Sequence, residues 1–328
     1  MASQITLVGL GQIGASVGLA LHAQAGKYRR VGHDRSPIIA RQAEKLGAVD
    51  QISYNLPAAV RQADLVFLSE PLPQSRETLE LIASDLKHGA LVLDTAPARV
   101  SGVSFAARVL PTGRHYVALA PALNPAYLEE TASGLDAARA DLFKNSVVAI
   151  TAPPGTALEA FDLASNLVDL LGASPLFVDA AELDGLLAAS DLLPRLSAAA
   201  LLNATLLAPG WRENRKFAGR AYAQATLPLA EAGSPQSLTQ ASLLDSANAV
   251  RVIDDLMNEL YALRTALEEQ NESRLLELLD QASKGRAAWL EQRRGGDPER
   301  LEGSPPIESA LPRNIFGLPP RKPGPGSK

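Results

Sequence analysis

The residues Gly9-Leu10-Gly11-Gln12-Ile13-Gly14 follow the apolar run Ile5–Val8 and open a helical stretch. Glycines at the first, third and sixth positions of a strand-to-helix turn suit the pyrophosphate of a dinucleotide. Gly9 permits the tight turn, Gly11 lets backbone approach a phosphate, and Gly14 lets helix and strand pack closely. The amides of Gln12, Ile13 and Gly14 stand at the helix N-terminus, where free N–H groups and the helix dipole favour an anion. Asp34 lies 20 residues after Gly14, at the end of the second strand-like run, "RRVGHD". Its carboxylate suits the adenosine ribose hydroxyls and favours NAD over NADP. Arg35 follows directly and could tolerate a 2′-phosphate, so NADP stays open. The bland alternative is a glycine turn that binds nothing.

Other candidates carry less. In "FLSEPLP", Ser69-Glu70-Pro71 ends an apolar run, at the sheet edge that lines the crevice of an open α/β sheet. Ser69 is expected near the cofactor, or else as part of an ordinary proline turn. Asp94 ends the next run, in "LVLDTAPAR", either as a helix cap or near the nicotinamide half. The four histidines are His22, His33, His88 and His115. His115 opens its strand, at the end away from the crevice, and the other three fall in helices or on the adenine side. Structural roles are expected for all four.

These residues need elements to hold them. Short apolar runs at Ile5–Val8, Arg30–Gly32, Leu65–Leu68, Ala90–Leu93, Val117–Leu119, Val147–Ile150 and Leu176–Val178 alternate with helix-period stretches. Those stretches include Ala15–Ala25, Ile38–Leu46, Ser75–Leu86 and Leu158–Leu171. The alternation predicts an α/β, Rossmann-type, doubly wound and mostly parallel sheet over 1–178. Strands apolar throughout fit a sheet covered on both faces. The strand pattern stops after Asp179, and an all-α C-terminal domain is predicted over 179–293. Ala180–Leu207 reads as one helical stretch kinked or broken at Pro194. Leu238–Gln270 and Glu272–Arg293 read as two more helices. Ile253, Leu256, Met257, Leu260, Leu263 and Leu267 form a buried helix stripe. Long apolar helices could also pack against a second copy, so a homodimer through this domain is expected. Residues 294–328 hold eight prolines and read as a disordered tail.

Composition bounds the rest. The chain has 328 residues, a net charge of −5 and no cysteine. Disulfides, thiolate catalysis and Cys-ligated metal are excluded, and no metal site is expected. The negative balance disfavours nucleic acid and anionic membrane surfaces. No apolar run reaches the roughly 20 residues that span a bilayer. The N-terminus enters a strand at once, leaving no signal peptide, and a cytoplasmic location is expected.

Over Ile5–Arg293 the sequence resembles the prephenate/arogenate dehydrogenase family. "VGHDRSP" is similar to its second strand and acidic residue, and "LVLDTAPAR" to its Asp-x-x-Ser-x-Lys turn. "YVALAPALNP" occupies the place of its strand and His-Pro-Met-Ala-Gly. "AELDGLLAASDLLPRLSAAAL" and "AGRAYAQATL" resemble its long substrate helix and its Gly-Phe-Arg-Asp-x-Thr-Arg segment. The resemblance implies oxidative decarboxylation of prephenate or arogenate with NAD(P)+ in tyrosine biosynthesis. In that family a histidine bonds the substrate hydroxyl and arginines bind its carboxylates, so the substrate expected is a small anion.

The family pattern keeps Asp94, Pro121, Asp184 and Thr226 here. Ala120 stands at the family's histidine. Pro97 and Arg99 replace the Ser and Lys of the Asp turn. Leu183, Leu192 and Arg195 stand at three helix histidines, Asp191 at the serine, and Ala223, Gln224 and Leu227 at the Arg, Asp and Arg of the later segment. Asp94, Asp184, Arg195 and Tyr222 are the pocket candidates, with an altered substrate in view. The alternative is a non-catalytic dinucleotide-binding sensor or partner protein.

Overall fold

A computed structural model describes residues 3–24, 26–231 and 234–295. The chain divides into two compact units, the first ending at Ala180 and the second spanning Ala181–Gly295.

In the first unit the strands are Ser3–Val8 (β1), Tyr28–His33 (β2), Gln51–Ile52 (β3), Leu65–Leu68 (β4), Leu91–Asp94 (β5), His115–Pro121 (β6), Val147–Thr151 (β7) and Ser174–Phe177 (β8). The helices are Gln12–His22 (α1), Pro37–Lys45 (α2), Leu56–Val60 (α3), Leu72–Ile82 (α4), Arg99–Val109 (α5) and Leu158–Leu170 (α6). The strands form one sheet in the order β3-β2-β1-β4-β5-β6-β7-β8. Every neighbouring pair is parallel except β6 with β7. The winding reverses between β1 and β4, and such a switch point opens a crevice at the C-terminal strand ends.

Alternation along the strands builds two cores. Ile5, Leu7, Leu65, Phe67, Leu91, Leu93, Val117 and Leu119 point to one face, against Val17 and Leu21 of α1 and Leu167 of α6. Val8, Val66, Leu68, Val92, Tyr116 and Ala118 point to the other, against Leu79 and Ile82 of α4 and Ala106 of α5. Both faces are therefore covered, as the apolar strands require.

Several expectations change. The run expected over Arg30–Gly32 widens to Tyr28–His33 and is not apolar, because Arg30 lies inside it, 2% exposed. Its Nη1 donates to the carbonyls of Gly18 (2.7 Å) and Gly47 (2.9 Å), and its guanidinium pairs with Asp50. A buried cation is tolerable only with such a full set of partners. Strand β3, only two residues long, carries no periodicity to read. β6 runs beyond the expected Val117–Leu119, from His115 through Ala120 and Pro121. Ala122 donates its N–H to Val147 of β7. Alternation then places the Pro121 nitrogen on the opposite side, where β5 has already ended, so its missing donor costs nothing.

The second unit is all helical: Ala180–Leu187 (α7), Leu193–Leu206 (α8), Trp211–Asn214 (α9), Arg220–Glu231 (α10), Pro235–Leu244 (α11), Ser246–Glu268 (α12) and Glu272–Arg294 (α13). A π-helical turn at Ala188–Leu192 joins α7 to α8 just before Pro194. A widened turn is one way to house a proline without breaking the axis. The resulting helix, Ala180–Leu206, is long and apolar enough to cross a membrane by length and composition. Counting only unbroken apolar runs hides this, because Asp184, Asp191 and Arg195 interrupt the run.

The helix expected over Leu238–Gln270 is two helices, parted at Asp245, whose φ of −121° and ψ of 39° are not helical. The stripe expected to be buried on α12 is only partly so: Met257, Leu260 and Leu267 are exposed. Helix α10 contains Pro228, which reads in sequence as a breaker. The expected tail lies outside the described residues from 296 onward, and Arg294, assigned to it, is the last residue of α13.

Candidate functional site

The three fingerprint glycines do three different things. Gly9 has φ +83°, a conformation that costs a side chain dearly, and an added Cβ would sit 2.5 Å from the Ser69 carbonyl oxygen. At Gly14 an added Cβ would overlap both the Gly9 carbonyl oxygen and the Ser69 hydroxyl. At Gly11, the N-cap of α1, an added Cβ would meet nothing within 4 Å. Two glycines are thus required by the protein's own packing, and the third fronts open space beside the helix N-terminus. The first-turn amides of Gln12, Ile13 and Gly14 have no intrahelical acceptor. This arrangement fits a pyrophosphate.

Side chains brace the turn. Ser69 Oγ donates to the Gly9 carbonyl at 2.6 Å, linking β4 to the fingerprint across the switch point. Gln12 Nε2 lies 3.4 Å from the Ala137 carbonyl. Buried Ser16 donates to the Gln12 carbonyl (2.6 Å) and accepts from the Arg139 N–H (2.9 Å). Ile13 packs on the core.

Asp34 ends up beside the same turn. Its Oδ2 accepts the Leu10 N–H and its Oδ1 the Ser36 N–H, each at 2.8 Å. Each oxygen keeps a further lone pair, enough for ribose hydroxyls. Arg35 points toward α4, where Nη2 donates to Glu77 Oε2 at 2.9 Å and Nε reaches Glu70 Oε1 at 3.4 Å. Burial opposes the Arg35 charge, but the hydrogen bond and charges of Glu77 and Glu70 outweigh it and raise its pKa. Sequence reasoning did not find Glu77. It stands one helical turn after Gln74, whose carbonyl Arg35 also approaches, and nothing in spacing links it to residue 35.

On the other side of the crevice, Asp94 is buried. Its Oδ2 accepts from Ser75 Oγ (2.7 Å) and the Tyr116 hydroxyl (3.1 Å), and its Oδ1 from the Ala96 N–H (2.9 Å). It does not cap α5, whose N-cap is Ala98, a non-glycine residue at φ 59°. Burial pushes the Asp94 carboxyl up, against those hydrogen bonds and the Arg99 charge. Burial and the Asp94 charge likewise push the Tyr116 phenol up. Ala120, half-buried near the C-terminal end of β6, faces the same side as Tyr116 and Ala118. The one polar side chain after it, Asn124, is spent on structure: Nδ2 donates to the Asp141 carbonyl and Oδ1 accepts from Ala126.

His33 closes β2 on the adenine side, and the other three histidines lie apart from this edge. His22 Nδ1 meets Arg30 Nη2, His33 Nδ1 meets the Ser53 carbonyl, and His115 opens β6. His88 packs beneath Gly113. Among the described residues no cluster of three or more His, Cys, Asp or Glu could hold a metal ion.

Within the second unit, Asp184 is buried on α7. Burial and the nearby Asp184 charge raise the Asp245 carboxyl, against a hydrogen bond from Asn248. Arg195 Nη2 donates to Asp191 Oδ1 at 2.7 Å, one turn earlier. The Tyr222 hydroxyl bonds Thr205 Oγ1 at 2.7 Å, and its ring lies 5.8 Å from that of Trp211. Structure therefore gives Arg195 and Tyr222 local partners of their own, while buried Asp184 lies near half-buried Asp245.

Comparison with known proteins adds an independent line. A family model described as "Prephenate dehydrogenase, nucleotide-binding domain" matches residues 17–176. That match starts inside α1, so it does not depend on the fingerprint. The chain is 27% identical to a prephenate dehydrogenase of Bacillus subtilis over 306 residues, covering 91% of this chain and 79% of the relative. It is 28% identical to a cyclohexadienyl dehydrogenase of Zymomonas mobilis over 287 residues, covering 87% of this chain and 95% of the relative. In fold it is similar to a prephenate dehydrogenase from A. aeolicus solved with hydroxyphenyl propionate and NAD+. That likeness has a TM-score of 0.75 at 20% identity and covers 88% of this chain and 99% of that one. The sheet order, the fingerprint turn and these matches agree: residues 17–176 form a nucleotide-binding domain of the prephenate dehydrogenase family.

Proposed function

We propose that the chain is an NAD-dependent oxidoreductase that oxidatively decarboxylates a prephenate- or arogenate-like anion, the reaction its family members carry out in tyrosine biosynthesis. The observation that carries the reading is the open space at Gly11, the N-cap of α1, with Asp34 bonded to the N–H of the adjacent Leu10. The amides of Gln12, Ile13 and Gly14 would hold the pyrophosphate, and Asp34 the adenosine ribose. When bound, the nicotinamide supplies the acceptor for a hydride from the ring carbon that bears the hydroxyl. The ring carboxylate leaves as carbon dioxide, and the ring becomes aromatic. We assign Asp94 to the substrate side of the first unit, where Ala120 leaves the hydroxyl without the family's imidazole, and Asp184, Arg195 and Tyr222 as the candidate substrate residues of the helical unit.

The helical unit supports a homodimer. Among its described residues the buried large aliphatics are Leu183, Leu192, Val252 and Leu290. Exposed large hydrophobics are more numerous, with Val250, Met257, Leu260, Tyr261 and Leu267 on α12 alone. An apolar surface of that extent calls for a covering. A second copy would also cover the apolar length of Ala180–Leu206, and no membrane role is proposed for it. The absence of cysteine accords with a cytoplasmic enzyme.

The test is direct. NAD+ and NADP+ are titrated into the full chain, and NADH formation is followed with prephenate and with arogenate. Expected are NAD+ binding and slow turnover of at least one substrate. Binding without turnover of either would leave a dinucleotide-binding protein and remove the enzymatic reading.

A further inference from the structure

The adenosine corner contains a cation that is already held. Arg35 Nη2 donates to Glu77 Oε2 at 2.9 Å, and Arg35 Nε meets Glu70 Oε1 at 3.4 Å. Glu70 is fixed from behind: its side chain is 6% exposed and its Oε2 accepts from Thr78 Oγ1 at 2.5 Å. The guanidinium thus ties the end of β2 to α4, passing the end of β1, which lies between β2 and β4. The tie abuts the fingerprint, since a Cβ added to Gly9 would sit 3.1 Å from Glu70 Cγ. Asp34 adds a third carboxylate to the same corner.

We propose that Glu77, backed by Glu70, is a cofactor-specificity residue: it clamps Arg35 so that the guanidinium is not offered to a 2′-phosphate, and the chain selects NAD. The proposal rests on the NAD-dependent reading above. An arginine beside the ribose would otherwise grip a phosphate with paired, charge-assisted hydrogen bonds. Here a 2′-phosphate must first displace a carboxylate and then lie beside three of them, and like charges so placed repel. A ribose 2′-hydroxyl carries no charge and meets neither obstacle. The Arg35 and Glu77 side chains are 52% and 66% exposed, so the pair is individually weak. Removing Glu77 frees Nη2 and leaves only the longer 3.4 Å contact of Nε with Glu70.

The experiment compares the full chain with Glu77→Ala and with Glu77→Ala/Arg35→Ala, titrating each with NAD+ and NADP+ by calorimetry. Alanine suits the exposed face of a helix, so folding is kept. The original chain should favour NAD+. Glu77→Ala should shift the ratio of the two affinities toward NADP+ by about 10-fold, the scale of a regained hydrogen bond to a charged group. The double variant should lose that shift. An unshifted ratio in Glu77→Ala, or an original chain that favours NADP+, overturns the clamp while leaving the cofactor reading in place. A shift that survives loss of Arg35 shows relief of repulsion alone and also overturns it. An original chain that binds neither dinucleotide overturns both.

Discussion

The backbone N–H of Leu10 donates to Asp34 Oδ2 at 2.8 Å, so the acid at the end of β2 is part of the fingerprint turn. Leu10 is fully buried, and its N–H has no water to turn to. Asp34→Ala should therefore do two things at once. It orphans a buried donor, at a cost of about 1–3 kcal/mol, seen as a lower melting temperature. It also removes the ribose acceptor, so NAD+ affinity should fall about 10-fold or more. Asp34→Asn, which keeps one carbonyl acceptor, should be intermediate in stability. A melting temperature unchanged in Asp34→Ala would contradict the coupling.

The glycines separate binding from folding. Gly11→Val places its side chain in open space, so stability should change by less than about 0.5 kcal/mol while cofactor binding is lost. Gly14→Ala forces a methyl into the Gly9 carbonyl and Ser69, and should destabilise by about 1–3 kcal/mol as an overpacked site does. Thermal melts and NADH fluorescence titration on both variants check this. Equal destabilisation by the two would mean that Gly11 is a packing glycine as well.

Arg30 and Asp50 give the fold a pH signature. Burial raises the Asp50 carboxyl, but the hydrogen bonds and charge of Arg30 more than reverse this and hold it below the ordinary carboxylate value. A folded-state pKa below the unfolded one gives stability that is complete above the unfolded value, and it is lost as pH falls through the folded value. Stability measured by urea melts should therefore drop on the acid side of the ordinary Asp range, near pH 4 and below. Asp50→Asn should flatten that drop and, at neutral pH, cost about 2 kcal/mol, because Arg30 is left buried with only neutral partners. Identical acid profiles for the two proteins would rule out this assignment.

What the sequence revealed was what local physics writes into short stretches. The fingerprint is legible because glycine geometry must appear at fixed offsets, and β1, β4 and β5 because both their faces are buried. Arg30 was not legible: its partners, Gly18, Gly47 and Asp50, converge only in three dimensions. Glu77 was missed for the same reason, 42 residues from the arginine it holds. The break at Asp245 is hidden by helical periodicity that runs on through both helices. On α12 the apolar stripe was visible, but not whether it is covered by this chain or by a second one.

That last point is testable. If Met257, Leu260 and Leu267 are covered by a second copy, a charge placed among them should split the pair. Leu260→Lys lies at a residue 54% exposed in the single chain, so the monomer's fold should survive. Sedimentation or light scattering should show a dimer for the original chain and a monomer for the variant. A dimer in both would move the interface to another face of the helical unit.

Ala120 carries the final prediction. It lies near the C-terminal end of β6, on the face that Tyr116 and Ala118 share, past the last residue of β5, Asp94. The family resemblance puts a histidine there, bonded to the substrate hydroxyl whose proton leaves as hydride is transferred. Ala120→His should restore that base. General acid–base help is worth about 10²–10⁴-fold where geometry is right, so kcat for prephenate or arogenate should rise by at least about 10-fold. Because the hydrogen bond strengthens in the transition state, kcat should move more than KM. The base must be neutral to act, so the gain should appear as pH rises through about 6.5. A variant that binds NAD+ normally but turns over no faster at any pH would mean that the reacting hydroxyl lies elsewhere than beside residue 120.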